Sequence, residues 1–579
     1  MSADQIELLL LLAAILVLFA LDRFRTEVVA LSGLALGAAL GLVPAAAIFS
    51  GFANPAVITV LEVLLIVQVL ARSHLLDRIA LAIGARRPRP RLILGVLCLL
   101  AAASSVFMNN VGAFVLILPI ALGVARRAGL HAGAVVMPVS FATLLGGLCS
   151  AIGTPANLIV SNALAGAGGT PFQFFDFAPV GLAAAAAGLG AIVLWAPVAL
   201  GRESVLEGDP APAQERPVVT ELRIRKGGRG DGAEVTQLGA LLAGRVISVF
   251  REGRHLFPPS RTRALAAGDV VVVEAPLPRL DALRAEGAVL LPDDPAPAGA
   301  RIEAVVMPQS TLVGSRVATI QWMREKGVRV LAVARTSPRI EGRFDDVALG
   351  IGDILVLEGP RAAILEALEQ CDAIPVAPAG RPLPEDPRLL PLLLFGFGIL
   401  AAGFEFMPPQ IALGLVVLGL VLTGRLSLRE ALADINWPIV LMLAAMIPLG
   451  EALATTGTAE LLARAVTGAL PEHSSLTLAA AMLFLALAVT PFVNNATTAI
   501  VLSPVAVELA HADHIAPEPL LIAVAIGVSL DFLTPFGHHN NTLALGIGGY
   551  RFGDFARLGG VVTLAALAAA IPMIWLIWT

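Results

Sequence analysis

Charge is scarce in this chain. Asp, Glu, Lys and Arg make up 14% of 579 residues against 57% hydrophobic, and mean hydropathy is +0.84, far too apolar for a soluble globular protein of this size. No Lys or Arg occurs between Leu40 and Val69, or from Ala465 to Tyr550. The net charge of -5 is small and spread over loops, so nothing points to nucleic acid as a partner. Cys98, Cys149 and Cys371 stand alone, without the close spacings of metal or redox sites, and read as small apolar fillers. No nucleophile-base pair or closed metal set suggests an enzyme, and no cofactor is expected. The first apolar run follows Met-Ser-Ala-Asp-Gln-Ile-Glu, which lacks the basic region of a cleaved signal peptide, so it is expected to be a retained span. Gly227-Gly-Arg-Gly-Asp-Gly232 lacks the strand-glycine-helix context and Lys-Ser/Thr of a phosphate loop and reads as a connector. His511 and His514 read as a solvated loop, and His538-His539 as proton carriers or loop polarity.

What is present is a polytopic α-helical membrane protein. Spans are expected at Leu8 to Leu21, Val28 to Leu42 and Ala56 to Leu70, then an apolar hairpin (92–126), a segment broken at Gly153-Thr-Pro-Ala-Asn157 (134–165), and a span from Pro179 to Leu200. After a polar stretch the order recurs: Leu389 to Phe404, Ile411 to Leu422, Pro438 to Ala454, a hairpin (475–510), a segment broken at Leu533-Thr534-Pro535 (520–545), and Gly559 to Trp578. Arg23, Arg25 and the cluster Arg86, Arg87, Arg89, Arg91 mark cytoplasmic ends, which sets both termini outside and residues 201–387 in the cytoplasm. Basic residues at both ends of the first hairpin favour a re-entrant loop over one full crossing. Five crossings per half is odd, so residues 1–200 and 388–579 are expected to be inverted repeats, the signature of a secondary transporter with its site between broken helices.

The insert is charged and rich in Pro and Gly. Val246-Ile-Ser-Val-Phe with Gly268-Asp269 recurs as Val330-Leu-Ala-Val-Ala with Gly352-Asp353, each followed by a helical stretch. Two small α+β modules are expected, at 201–295 and 296–387.

Polar groups inside apolar sequence are costly and therefore informative. Asn109-Asn110 and Asn494-Asn495 occupy the hairpin centres, each followed at the same distance by Pro119 or Pro504. Helix N-termini meeting there suit an anion, free carbonyls suit sodium, and an Asn amide serves either. Asp531, before the second break, and Glu62, in the third span, are carboxylates for proton or cation coupling; Glu62 reads equally well as paired with an Arg near an interface.

Phe107-Met-Asn-Asn110-Val, Ile152-Gly-Thr-Pro-Ala-Asn157-Leu, Phe492-Val-Asn-Asn495-Ala-Thr-Thr, Leu533-Thr-Pro-Phe-Gly-His and the tail Gly548 to Gly559 resemble the divalent anion:sodium symporter family. That family lies within the ion transporter superfamily that also holds citrate and arsenite permeases. The insert resembles a pair of TrkA-C (RCK C-terminal) domains. The resemblance implies substrate contacts at Asn109, Asn110, Thr154, Pro155, Asn157, Asn494, Asn495, Thr497, Thr534 and Pro535. It also implies sodium contacts at Ser105, Asn110, Gly153, Thr490, Asn495 and Thr534. Asn109 and Asn494 stand where the family has Ser, and Val111 and Ala496 where it has Thr, so hydroxyls are replaced and carboxylate specificity does not carry over. An elevator-type motion, a homodimer and a small-molecule or nucleotide effector at the insert are further implications. No glycine fingerprint for NAD precedes either module. The expectation is a cytoplasmic-membrane, sodium-coupled transporter of a small anion, sulfate-like oxyanions ahead of di- or tricarboxylates. A proton-coupled permease or antiporter using Asp531 and an anion-binding sensor without net transport are the alternatives.

Overall fold

A computed structural model describes the chain except for residues 21–24, 72–88, 129, 201–216, 253, 257–263, 287–288, 291–298, 308–309, 321, 335–341, 377–388, 405, 434, 436, 471 and 536. Arg23, Arg86, Arg87 and Arg202, and the expected domain edges at 201, 295–296 and 387, lie outside the described residues.

The first block contains α1 (Ala3–Ala20), α2 (Thr26–Ala39), α3 (Pro55–Ala71), α4 (Pro90–Phe107), α5 (Asn110–Arg127), α6 (Val136–Gly146), α7 (Pro155–Gly166) and α8 (Ala178–Ala199). Pro90 and Pro155 open their helices, where a missing N–H costs nothing. Among the described residues seven helical stretches are long and apolar enough to cross a membrane, with five shorter apolar helices of 10–17 residues beside them. The chain is a multi-pass membrane protein.

The insert adds α9 (Val235–Leu242), α10 (Leu277–Ala285) and α11 (Arg361–Gln370) to strands β1 (Pro217–Ile224), β2 (Arg245–Arg251), β3 (Arg254–His255), β4 (Val270–Pro276), β5 (Val289–Leu290), β6 (Ala300–Val306), β7 (Arg329–Ala334), β8 (Ile354–Gly359) and β9 (Ala373–Pro375). They form one sheet of order β3-β2-β4-β1-β7-β8-β6-β9, with β5 also on β1. One offset relates the two parts: Arg245–Glu274 to Arg329–Glu358, Asp269 to Asp353, and the register shift at Val246/Ser248 to that at Val330/Ala332. The parts are therefore not separate layers: β1 meets β7 at Val219 and Val333, and Arg301 of β6 ion-pairs with Asp281 of α10 at 2.7 Å. Gly227–Gly232 is a turn closed by Asp231, which accepts from the Gly227 and Ala267 amides.

The last block contains α12 (Leu389–Gly403), α13 (Pro409–Leu422), α14 (Trp437–Thr455), α15 (Thr458–Thr467), α16 (Ser475–Val489), α17 (Asn495–Ala512), α18 (Glu518–Ser529), α19 (His539–Gly548) and α20 (Phe552–Trp578). The spans expected from hydropathy are all helical; α15, with its Glu460–Arg464 pair at 2.5 Å, fills a stretch assigned to no span. His511 lies in the last turn of α17, not in a loop. Two close backbone contacts recur: Gly181 of α8 lies on the Leu148 carbonyl, and Gly559 of α20 on the Phe532 carbonyl, where no larger side chain fits. The blocks join where α20 packs along α8.

Asp269 closes the first Gly-Asp turn. Its buried carboxylate takes two bonds from Arg251, each 2.8 Å, and one from the Ala266 amide. Burial alone would raise its pKa; the Arg251 and Ala266 bonds and the Arg251 charge outweigh that and hold it below the ordinary range. Its contribution is therefore full above the unfolded carboxylate pKa and lost as pH falls through the lowered one. Asp269→Asn should destabilise β2 and β4 by about 1–3 kcal/mol at neutral pH, read as faster amide exchange in those strands; exchange unchanged from wild type at neutral pH would refute this.

Candidate functional site

An α-helix interrupted inside an apolar core leaves carbonyls without partners, and these must be satisfied locally. The first hairpin is interrupted at Met108, whose backbone is extended. Asn109 caps α5 by accepting from the Gly112 amide at 2.7 Å. Asn110 is buried, and its Oδ1 accepts from Ser105 Oγ at 2.9 Å. That oxygen lies where a side chain on Gly147 would go.

The first break begins at that glycine. A 3₁₀ turn, Gly147–Cys149, follows α6, and Ser150 is extended. Ser150 donates to the Val106 carbonyl, docking the break just before the hairpin tip, and accepts from the Gly153 amide. Thr154 caps α7, and the Asn157 amide donates to two carbonyls of the break, Gly147 at 3.1 Å and Ser150 at 2.7 Å.

In the second hairpin Thr490 donates to the Ala486 carbonyl, and a 3₁₀ turn, Thr490–Phe492, precedes the tip. Asn494 caps α17, accepting from the Thr497 amide at 2.9 Å, while its own amide contacts Met442 Sδ at 3.8 Å. Asn495 is half-buried in the first turn, and Thr497 is fully buried with an unbonded hydroxyl.

The second break uses the same device in a different register. Asn541 donates to the carbonyls of Asp531, at 2.8 Å, and Thr534, at 3.2 Å. These lie at the sequence separations that relate Asn157 to Gly147 and Ser150. The Gly537 amide donates to Thr534 Oγ1 as the Gly153 amide does to Ser150 Oγ. So Thr534 answers to Ser150, His538 (the α19 cap) to Thr154, and Asp531 to Gly147. The two Thr-Pro pairs, matched to each other in the sequence, are not structural counterparts: Pro155 opens α7, whereas Pro535 lies in the connector, its carbonyl accepting from Thr542.

The halves meet at these polar groups. The Asn540 amide donates to the Asn110 carbonyl and to Thr143 Oγ1, both at 2.9 Å, and Ser140 donates to Asn541 Oδ1. Tyr550 donates to the Gly133 carbonyl and accepts from the Met137 amide. On the other side α17 packs against α7. Glu62 is apart: its carboxylate faces Gly414 of α13. Asn540, Asn541, Ser140, Thr143 and Ser150 were not singled out by sequence; the signal for Asn541 was its position behind the break, visible only once Thr534 is paired with Ser150. Left without partners, yet buried, are Asn157 Oδ1, Asn540 Oδ1, Thr497 Oγ1 and both Asp531 oxygens. Oxygen ligands of this kind suit a hard cation, while the N-termini of α5, α7, α17 and α19 suit an anion.

Residues 16–527 match the family model for citrate transporters, CitMHS. The chain is 27% identical to the uncharacterized transporter sll0640 of Synechocystis over 97% of its own length and 95% of that protein. It is 26% identical to the uncharacterized transporter YfbS of Escherichia coli over 99% of each. Sodium/sulfate cotransporter 2 of Chlamydomonas reinhardtii is 30% identical over 45% of this chain and 32% of that protein. These are transporters, not enzymes. With nearly its whole length matched, this chain belongs to the citrate transporter family of the ion transporter superfamily.

Proposed function

We propose that this chain is a secondary active transporter that carries a small anion across the cytoplasmic membrane with sodium, sulfate-like oxyanions ahead of di- and tricarboxylates. The observation that carries the reading is the bond from Asn540 of the second break to the Asn110 carbonyl of the first hairpin, with α17 of the second hairpin packed against α7 behind the first break. Helix N-termini there favour a divalent oxyanion, and unpartnered oxygens beside them favour a cation. The name of the Chlamydomonas relative, a sodium/sulfate cotransporter, supports sodium and sulfate over other pairs. In the binding set, Asn109, Asn110, Thr154, Pro155, Asn157, Asn494, Asn495, Thr497, Thr534 and Pro535 surround the anion. Ser105, Asn110, Gly153, Thr490, Asn495 and Thr534 bind sodium.

The two blocks act as inverted repeats, supported by the shared separations of Asn157 and Asn541 from their carbonyl acceptors. The hairpins and breaks move as an elevator against the remaining helices of a homodimer, with both termini outside. The insert, residues 201–387, is a cytoplasmic pair of TrkA-C-like modules that binds a small effector. Asp531, a buried carboxylate without a bonded partner, favours one second reading, a proton-coupled permease in which it is the carrier.

In liposomes, an inward sodium gradient should drive uptake of radiolabelled sulfate more than succinate, and Asn110→Ala/Asn495→Ala should reduce it to background. Sodium-independent uptake lost in Asp531→Asn would transfer the assignment to proton coupling. Excising residues 203–385 should leave basal flux and remove only its modulation; complete loss of flux from a folded protein would make the insert part of the transport machinery.

A further inference from the structure

The second break is held by hydroxyls from the other half of the chain. Helix α6 carries Ser140 and Thr143 one turn apart, both fully buried. A helical Ser or Thr can bond back to a carbonyl of the preceding turn. Thr143 does so, donating to the Ser140 carbonyl at 2.6 Å, which leaves its oxygen to accept from the Asn540 amide. Ser140 instead donates outward, to Asn541 Oδ1 at 2.9 Å. The direction of each bond is therefore fixed. With its oxygen on Ser140, Asn541 presents its nitrogen to the Asp531 and Thr534 carbonyls, and Asn540 is pinned between Thr143 and the Asn110 carbonyl at the first hairpin tip.

The first break has no such support. Counted from the tied carbonyls of Gly147 and Asp531, the position of Ser140 is taken in the second half by Val524 and that of Thr143 by Gly527, while Ala156 stands where Asn540 would. Helix α18 packs on α7 as α6 packs on α19, so these are equivalent places in the fold. Neither Val524 nor Gly527 has a side-chain donor. Gly527 lies against the Leu483 carbonyl of α16, where no larger residue fits. Asn157 Oδ1, the counterpart of the oxygen held by Ser140, is buried without a partner. The first break is docked instead on its own hairpin, through Ser150 and the Val106 carbonyl.

We propose that Ser140 and Thr143 are positioning residues of the transport site. Through them the first half orients both asparagines of the second break and, by way of Asn540, the backbone of the hairpin tip at Asn110, with no return contact from α18. That role rests on the transport reading; the pinning of the two asparagines does not. One buried neutral hydrogen bond is worth roughly two- to tenfold in an equilibrium constant, and here it shapes the site rather than the path of movement.

The test compares Thr143→Val, which keeps the volume and loses the hydroxyl, with Thr143→Ser, which keeps the hydroxyl, in the full-length protein. Sodium-driven anion uptake should show KM raised about two- to tenfold in Thr143→Val with the maximal rate little changed, and Thr143→Ser should restore it. Asn540→Ala, which copies Ala156, should raise KM likewise, and adding Thr143→Val to it should change nothing further, because the hydroxyl acts through that amide. Hydrogen exchange gives a readout independent of transport: Thr143→Val and Ser140→Ala should speed exchange at Gly537, Asn540 and Asn541 and leave Gly153 and Asn157 as in wild type. Independent, additive effects of Thr143→Val and Asn540→Ala would overturn the assignment, as would a lowered maximal rate at unchanged KM, failure of Thr143→Ser to rescue, or exchange that quickens equally in both breaks. If wild type carries no anion, the transport reading falls, and the exchange pattern alone decides whether the hydroxyls hold the second break.

Discussion

A helix cannot be interrupted inside an apolar core unless something replaces the backbone partners it loses. Here that is done twice by one asparagine amide reaching back to two carbonyls, Asn157 to Gly147 and Ser150, and Asn541 to Asp531 and Thr534. Leaving one such carbonyl buried and unpaired costs roughly 1–3 kcal/mol. The rest of the central architecture follows from these two ties. The extended connector brings Ser150 onto the first hairpin, the following helix starts from a side-chain cap, and the new N-terminus faces the middle of the protein.

Amides suit this position because they are neutral. A charged donor would need its own counter-ion, whereas an amide donates two bonds and keeps an oxygen to spare. Asn157 and Asn540 each retain such an oxygen, and Asn541 gives its own to Ser140. The same groups that repair the backbone therefore furnish the polar surface a passing ion requires. Charge is instead concentrated in the insert, where Glu358 lies among Arg284, Arg301 and Arg329, and Asp269 is held by Arg251.

The spans, the interruption of both hairpins at Asn-Asn, and the two breaks were legible in the sequence because hydropathy and helix-breaking residues act locally. So were the paired Gly-Asp turns of the insert, which recur with the same β-branched runs. The correspondence between breaks was not. Thr-Pro is a strong local signal in both segments, but equivalence is decided by which carbonyl an amide ten residues away can reach, and that placed Thr534 opposite Ser150. The continuous sheet across the insert was hidden for a related reason, since one bridge between Val219 and Val333 joins strands far apart in sequence. Asn540 carried no local signal at all; its partners, Asn110 and Thr143, lie in the other half of the chain.

The central claim is that the asparagine ties hold the two breaks open in the shape that transport needs. It is tested most directly by sodium-driven anion uptake in Asn157→Asp and Asn541→Asp, which keep the size of the side chain and remove its donors. Both variants should fold and both should fall to a few per cent of wild-type uptake or less, because losing two bonds in a buried site removes about 2–3 kcal/mol from the transport-competent shape. Wild-type uptake in either variant would contradict the account, since that break would then stand without its tie.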